Sequence, residues 1–420
     1  MSKSENKVKG LFVNTFMLYL LTFSNYFFNF ITVPYQTRIF GAEIYGNLGF
    51  ATSVMTYFQL IFDFGFLLSA TEEVARKRND KRELSKIVEK VFICKAGLIF
   101  VSGIVLFALC TSVGRFKNDW LLFLLYFIST AIYAFIPDFL YRGLEQMKAI
   151  TIRSVAIKFF FTVMIFVLLR DKSQYYLVPI LNIFGNLGAI LGVMFHLYKT
   201  VGIRPVKISV EEVWQAFKQS STFFYSRIAS TIYTTTNTFL LGILYGQSSA
   251  VVGYYSSADK LITTGKQAIS PVTDSLYPYM VRNRDFKLVK KILMIGMPIM
   301  TAGCIFVAVM SDWICGFLFG AEFVDAGIYL RLLAPVVWCA FPAMLFGFPV
   351  LSPMGLAKWA NISNVFGAII QIGLLVVCYL IGNLSAISIC ICTCITEFAT
   401  LIFRVSVVIK NRKRLQKMDE

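Results

Sequence analysis

Apolar residues in this chain form runs of about 20 residues or more, separated by short polar or basic stretches. A helix of that length crosses the ~30 Å hydrocarbon core of a bilayer. The pattern predicts twelve spans without a separate extramembrane domain, and the first span lacks a signal-peptide cleavage site and is predicted to be retained. The predicted spans cover residues 10–33, 44–68, 87–112, 119–141, 149–170, 175–198, 219–245, 249–279, 288–317, 326–352, 359–382 and 384–409.

The longest connection between spans covers residues 199–218 and divides them six and six. Ser209 and Glu212 have the spacing of a capping box, and the apolar residues from Val210 to Phe217 share one helical face. We therefore expect a separate amphipathic helix that lies flat on the cytoplasmic surface. The predicted domains are an N-terminal lobe (1–198), this linker (199–218), a C-terminal lobe (219–410) and a basic cytoplasmic tail (411–420).

The two predicted lobes repeat one pattern, in which a glycine-containing stretch opens the second span and a basic loop closes it. Gly46 precedes Arg76 by 30 residues, and Gly253 precedes Arg282 by 29. Both halves have six spans and begin on the same side, so the repeat is parallel. The predicted fold is an all-α integral membrane protein of twelve transmembrane helices in two pseudo-symmetric six-helix lobes.

Composition excludes a soluble enzyme and charge sets the orientation. Of the 420 residues, 57% are hydrophobic and 15% charged, against 45–50% and ~25% in typical soluble domains. Lysine and arginine number 40 and the formal net charge is +17. With both termini in the cytoplasm, 27 of these bases fall on the cytoplasmic side and 5 on the opposite side, as the positive-inside rule requires. The predicted partner is membrane lipid, with no nucleic acid.

Eight bases remain within or beside the spans, where an ionised group costs at least ~2.5 kcal/mol. We expect a water-filled cavity between the halves to receive some of them. Three lie close enough to a span end to reach the interface by snorkelling, namely Lys90, Lys158 and Arg404. The other five are Lys95, Arg227, Lys260, Lys266 and Arg331.

Polar residues of the seventh and eighth spans form stripes. Arg227, Thr231, Thr234 and Thr238 follow one helical face of the seventh span, which favours a wet lumen over a purely structural hydrogen-bonding role.

On the eighth span, Asp259 and Lys266 share a face and are predicted to contact each other, whereas Lys260 points elsewhere. Lys260 and Arg227 are therefore the better candidates for holding an anion.

Acidic residues inside spans could couple transport to an ion gradient, because a carboxylate that titrates in a cavity can carry the coupling ion. Asp63 and Asp138 have an alternative interpretation as groups at cytoplasmic span ends. Glu397 has one as an ion-pair partner of Arg404, seven residues later.

Cysteine and histidine do not indicate a metal, cofactor or catalytic site. Cys390, Cys392 and Cys394 alternate, but residues two apart on a helix point in opposite directions. The nine cysteines all lie in apolar runs, which argues against a disulfide framework. His196, the single histidine, is predicted to be interfacial.

Several motifs together resemble the polysaccharide flippase family, the Wzx type of the superfamily that includes the MATE exporters and the lipid II flippase. They are NYFFNFITVPYQTRIFGAEIYG from Asn25, DFGFLLSATEEVARKRNDKRELSKI from Asp63, PDFLYRGLEQMKAITI from Pro137, VGYYSSADKLITTGKQAISPVTDSLYPYM from Val252, LRLLA from Leu330, and Thr396-Glu397. The eighth span carries Asp259 where the family commonly has a glutamate.

The resemblance implies a MATE-like fold and a flippase of the bacterial plasma membrane. Its substrate would be an undecaprenyl-pyrophosphate-linked oligosaccharide, moved to the outer leaflet by alternating access for O-antigen, capsule or exopolysaccharide synthesis, beside a polysaccharide polymerase or other assembly proteins. The expected cationic cavity residues are Arg227, Lys260, Lys266, Lys95 and Arg331, the polar ones are Thr231, Thr234, Thr238, Asn25 and Asn29, and the ion-coupling candidates are Asp63, Asp259 and Glu397.

Two other functions are less consistent with the sequence. A MATE-type exporter of organic cations should have an acidic cavity, whereas the spans hold more bases than acids. A membrane polymerase or ligase should carry a sizeable outer loop with acid, base or arginine groups, and the predicted outer loops are short. The protein is therefore predicted not to be an enzyme.

Overall fold

The structure is a computed structural model that describes residues 3–246 and 249–411. In these ranges the regular structure is helical and contains no strand. The helices are α1 Lys3–Asp63, α2 Phe66–Arg76, α3 Lys81–Ser112, α4 Gly114–Lys117, α5 Trp120–Ala134, α6 Asp138–Gly143, α7 Met147–Leu168, α8 Leu177–His196, α9 Val210–Tyr245, α10 Ala250–Asn283, α11 Phe286–Val309, α12 Ser311–Phe319, α13 Gly327–Leu345, α14 Phe348–Leu351, α15 Ala357–Leu380 and α16 Ala386–Lys410.

Within the described ranges, nine stretches are long and apolar enough to cross a membrane. The chain is thus an all-helical, multi-span protein, while the predicted total of twelve spans and the orientation of the termini stay predictions. α10 is 34 residues long but carries four charged residues between Asp259 and Asp274. The nine stretches are Phe30–Arg76, Lys81–Ser112, Trp120–Gly143, Met147–Leu168, Lys172–Val201, Phe286–Val309, Ala321–Leu351, Ala357–Leu380 and Ala386–Lys410.

The first two predicted spans are joined by a bend and not by a loop. α1 is continuous over 61 residues except at Gly41, whose φ of 72° and ψ of 178° are not helical. Glycine adopts a positive φ without the Cβ clash that other residues meet. The glycine-containing stretch that the sequence indicated is therefore a single-residue kink.

The predicted separate linker helix is wrong. α9 begins at Val210 and continues to Tyr245, so the amphipathic segment forms the first turns of the same helix as the predicted seventh span. The capping box is confirmed, because the Glu212 amide donates to Ser209 Oγ at 3.2 Å and the Ser209 amide donates to Glu212 Oε2 at 2.9 Å. Trp214 is 63% exposed.

Contacts divide the chain into two compact units. The first unit comprises Met1–Phe40 and Phe50–Thr231, and the second comprises Gly41–Gly49 and Ile232–Glu420. The boundary thus falls inside α9, later than the linker from which the sequence predicts it.

Each unit has an apolar core of its own. In the first unit, α2, α3 and α6 bury Phe66, Leu84 and Tyr141 in one cluster. In the second unit, α10, α13 and the α14 region bury Met280 and Leu345 in another. These cores fix the helices that carry the charged residues described below.

Within the second unit, the Gly41–Gly49 segment packs closely on the start of α10. A Cβ atom at Gly253 would lie 2.0 Å from the Ala42 carbonyl oxygen, and one at Gly46 would lie 2.7 Å from the Gly253 nitrogen. The Ala42 amide donates to Glu322 Oε1 at 3.0 Å. Small residues permit this backbone approach, as they do where membrane helices cross.

We expect Gly253→Ala to lower the melting temperature of the purified protein, because the new methyl group overpacks a backbone contact, which typically costs about 1–3 kcal/mol. Gly303→Ala is the matched control, since no atom lies within 4 Å of a Cβ built there; alanine at this position should stabilise the helix slightly. Thermal unfolding in detergent measures both. Equal melting temperatures for the two variants would contradict the close contact.

Candidate functional site

A cavity of about 150 Å³ lies inside the second unit. Its volume accommodates several water molecules or a small anion. Two bases and one acid reach it, so its ionisable lining carries a net positive charge. The lining residues are Lys266 of α10, Ala340, Ala343 and Met344 of α13, Asn364 and Gly367 of α15, and Glu397, Thr400 and Arg404 of α16.

The acid in the cavity is held by one of the two bases. Lys266 Nζ lies 2.5 Å from Glu397 Oε1, and the carboxylate side chain is only 7% exposed. The predicted contact between Asp259 and Lys266 is replaced by this pair. Residues seven apart are separated by about 10 Å along a helix axis, whereas Glu397 reaches Lys266 from a neighbouring helix.

The second base, Arg404, bonds to neutral groups and not to Glu397. Its guanidinium donates to the Ala343 carbonyl at 2.6 Å, to Ser363 Oγ at 2.8 Å and to Asn364 Oδ1 at 2.7 Å. Glu397, the partner that the sequence suggested for Arg404, is not among these three contacts, and snorkelling of Arg404 stays a prediction. The side chain ties α16 to α13 and α15.

A buried network of amides and hydroxyls lies elsewhere in the second unit and was not predicted. Asn237 donates to Tyr255 Oη at 3.0 Å and accepts from Gln371 at 2.9 Å. Thr396 Oγ1 donates to Gln371 Oε1 at 2.7 Å. Gln371 is 1% exposed. The sequence does contain a signal for this network, because Asn237 and Gln371 each interrupt an apolar run. A polar group that is buried in such a run needs a hydrogen-bond partner.

The first unit contains a second group of charges, at the end of α1, in the middle of α3, at the start of α6 and on α7. Lys95 is 4% exposed, lies 3.6 Å from Asp63 and donates to the Ala134 carbonyl at 2.6 Å. Arg153 donates to Asp138 at 2.6 Å. The structure thus joins the predicted cavity base Lys95 and the predicted coupling acid Asp63 in one ion pair.

A family model described as polysaccharide biosynthesis protein matches residues 11–284. The chain belongs to this family. A Shigella dysenteriae protein named "Putative O-antigen transporter" is 25% identical over 372 residues, which cover 86% of this chain and 90% of that protein. An Escherichia coli (strain K12) protein of the same name is 25% identical over 285 residues, covering 67% and 68%.

Solved structures share the fold. The inward-facing conformation of a multidrug resistance MATE family transporter of the MOP superfamily has a TM-score of 0.71 at 14% identity, covering 93% of this chain and 94% of that one. The lipid II flippase MurJ in an inward closed conformation has a TM-score of 0.70 at 13% identity, covering 96% and 90%. This polysaccharide biosynthesis protein is accordingly a MATE-like, multi-pass protein of the inner membrane.

Lys260 differs from the predicted cavity bases Lys266, Lys95 and Arg331, each of which has an acidic partner. It is exposed on α10, and its ammonium makes no hydrogen bond or ion pair with any residue that the structure describes. The adjacent Asp259 is half-buried. The role of Lys260 in holding an anion stays a prediction.

Three other residues named in the sequence analysis, Arg331, Lys90 and His196, contact protein groups. Arg331 donates to Asp312 at 3.0 Å and to the Ala308 carbonyl at 3.0 Å, which makes it a link between helix ends. Lys90, predicted to snorkel, pairs with Glu73 at 2.7 Å. His196 Nδ1 lies 3.0 Å from Tyr141 Oη. In the described part of the chain, no cluster of three metal-ligating side chains is present.

Part of the predicted polar lining falls outside the described side chains, namely Asn25, Asn29, Arg227 and Thr234. Thr231 and Thr238 are half-buried on α9. The shared face of the seventh-span stripe stays a prediction.

We expect Lys266→Met to destabilise the protein by about 3 kcal/mol, because it leaves the Glu397 carboxylate buried without its partner. The double variant Lys266→Met/Glu397→Gln should recover most of the loss, since the orphaned charge is gone. Lys290→Met, at an exposed lysine of α11, is the control and should be neutral. Equal melting temperatures for the single and double variants would show that the orphaned carboxylate is not the cause of any loss.

Proposed function

We propose that this protein is a flippase for undecaprenyl-pyrophosphate-linked oligosaccharide repeat units, which it moves from the inner to the outer leaflet by alternating access. Membership of the polysaccharide biosynthesis protein family supports the pathway, and relatives named as O-antigen transporters support transport. The observation that carries the substrate class is the surplus of positive charge inside the fold. Two bases and a single carboxylate line the cavity of the second unit.

An anionic substrate fits these groups better than a cationic drug. Pyrophosphate oxygens accept hydrogen bonds from lysine and arginine, and their charge compensates the desolvation of those bases. Lys260 and Lys266 of α10, Lys95 of α3, Arg331 of α13 and Arg227 of α9 are the proposed cationic residues. Hydroxyl and amide side chains of Thr231, Thr234, Thr238, Asn25 and Asn29 are the proposed contacts for sugar.

The ion pairs suggest how a proton could be coupled to transport. Glu397 and Asp63 each hold a lysine, and an entering anion competes for that lysine with the carboxylate. A displaced carboxylate in a low-dielectric site binds a proton more readily. Asp63, Asp259 and Glu397 are therefore the proposed coupling residues, and the protein is proposed to need no cofactor and to work beside a polysaccharide polymerase.

Both termini and the basic stretches between spans, including the one that follows the predicted fourth span, are proposed to face the cytoplasm. The substrate would then be collected at the side of the membrane on which Arg142 and Arg153 lie.

We expect Lys260→Glu and Arg227→Glu to abolish surface polysaccharide, because each replaces an attractive charge by a repulsive one. The variants are expressed in a flippase-deleted strain, and both membrane protein level and surface polymer are measured. Lys287→Glu, at an exposed residue at the start of α11, is the charge-matched control and should export normally. Normal polymer from Lys260→Glu or Arg227→Glu at wild-type protein level would remove that residue from the site.

We expect Asp63→Asn to slow export without abolishing it, because asparagine still fits beside Lys95 but cannot titrate. Export rate is measured across a range of external pH in the same strain. A wild-type rate at every pH would exclude Asp63 from coupling, and Asp325→Asn, at an exposed aspartate of the second unit, serves as the control.

A further inference from the structure

Arg142 is the one residue of the PDFLYRGLEQ motif whose charge the fold leaves uncompensated among the residues described. Its side chain is half-buried, its Nε atom is inaccessible to solvent, and that Nε has no hydrogen-bond partner. No ion pair or side-chain hydrogen bond joins Arg142 to any other described residue. A buried donor without an acceptor costs about 1–3 kcal/mol, so a native fold retains one where something else provides the acceptor.

Nearby carboxylates are committed to other bases. Asp138, four residues before Arg142, holds Arg153 at 2.6 Å. Glu145, three residues after it, lies 4.0 Å from Arg78. Asp63 holds Lys95. Because each of these three carboxylates lies beside another base, the guanidinium of Arg142 is the charge without a carboxylate of its own.

The backbone that carries Arg142 is rigid. A Cβ atom at Gly143 would lie 2.4 Å from Val74 Cγ1, so α6 rests directly on α2. Thr71 Oγ1 donates to the Phe139 carbonyl at 3.2 Å, and the Gln146 amide donates to the Tyr141 carbonyl at 2.8 Å. An arginine on such a support is preorganised, which lowers the entropic cost of binding.

Other donors lie around it. Arg153 Nε is also buried without an acceptor. Tyr133, 39% exposed, is within electrostatic reach of the carboxylates of Asp138 and Asp63 as well as of Arg153 and Arg142, and its hydroxyl forms no hydrogen bond with the described residues. These groups can donate hydrogen bonds, and the neighbouring carboxylates Asp138, Asp63 and Glu145 face other bases.

We propose that Arg142, assisted by Arg153 and Tyr133, binds a phosphoryl group at the end of α6. The planar fork of a guanidinium matches two phosphoryl oxygens, and a phosphoryl group supplies more acceptors than a carboxylate does. This site lies wholly in the first unit and is separate from the cavity of the second unit. The inference rests on the proposed function only for the identity of the lipid that would carry the phosphoryl group.

The test uses inorganic pyrophosphate and the purified full-length protein in detergent. Isothermal titration calorimetry compares wild type, Arg142→Gln, Arg142→Lys and the control Lys148→Gln, which removes one exposed charge six residues away. We expect Arg142→Gln to weaken binding roughly tenfold to hundredfold, Arg142→Lys to weaken it less, and Lys148→Gln to leave it within about twofold. Thermal unfolding should show that Arg142→Gln is as stable as wild type or more so.

A second arm distinguishes the source of the phosphoryl group. The protein is reconstituted in nanodiscs of phosphatidylcholine with a minor fraction of phosphatidylglycerol, and retained lipid is quantified after detergent extraction. Retention of phosphatidylglycerol that is lost in Arg142→Gln supports a membrane-lipid headgroup as the ligand. Pyrophosphate binding that is lost in Arg142→Gln without such retention supports a pyrophosphate-linked ligand.

The proposal is overturned if Arg142→Gln changes neither pyrophosphate binding nor lipid retention, or if Lys148→Gln weakens pyrophosphate binding as much as Arg142→Gln does. It is also overturned if Arg142→Gln unfolds the protein while Arg142→Lys binds as wild type, since the role is then structural. Because neither arm measures export, failure here is distinguishable from failure of the flippase assay with the Lys260 and Arg227 variants.

Discussion

A charged or polar group inside a bilayer has to find its partner within the protein, because hydrocarbon offers neither hydrogen bonds nor dielectric screening. This constraint explains the main polar contacts of both units. In the second unit, Lys266 neutralises Glu397, and in the first unit Lys95 lies beside Asp63 and donates to the Ala134 carbonyl. Each of these two pairs joins residues that are distant in sequence but lie within the same unit.

The same constraint determines how helices are tied together. Arg404 reaches α13 through a carbonyl oxygen and α15 through Ser363 and Asn364. Asn237 and Gln371 join α9 to α15, and Thr396 extends the network to α16. In lipid, apolar packing alone gives little preference for one helix partner over another, since lipid tails are as apolar as leucine. Hydrogen bonds between interior polar groups supply that specificity, and the cavity lies among the helices α10, α13, α15 and α16.

The features that the sequence predicts correctly depend either on residues a few positions apart or on the lengths of apolar runs along the chain. The capping box at Ser209 depends on two residues three apart, and the all-helical membrane architecture depends on the lengths of apolar runs. The ion-pair partner of Lys266 was predicted wrongly, because the partner depends on which helices become neighbours in the fold. Lys266 and Glu397 are 131 residues apart, and the helical wheel of α10 by itself suggested Asp259. The ends of helices were also predicted wrongly in two places. The polar stretch that was expected to separate a linker helix from the seventh span lies inside the continuous helix α9. Gly41 was expected to lie in a loop but only bends α1 at one residue.

Positions at which the constraint is left unmet are the most informative about function, and they are not equivalent. Lys260 is exposed, so water in a cavity could hydrate its ammonium and its lack of a protein partner needs no ligand. Water cannot reach the Nε atom of Arg142, and an anion, which is larger, cannot reach it in this conformation either. The donors open to an anion are the terminal nitrogens of the guanidinium, and the close approach of Gly143 to Val74 holds the backbone behind them in place. Binding an anion there costs less conformational entropy than binding it to an exposed, flexible lysine such as Lys260.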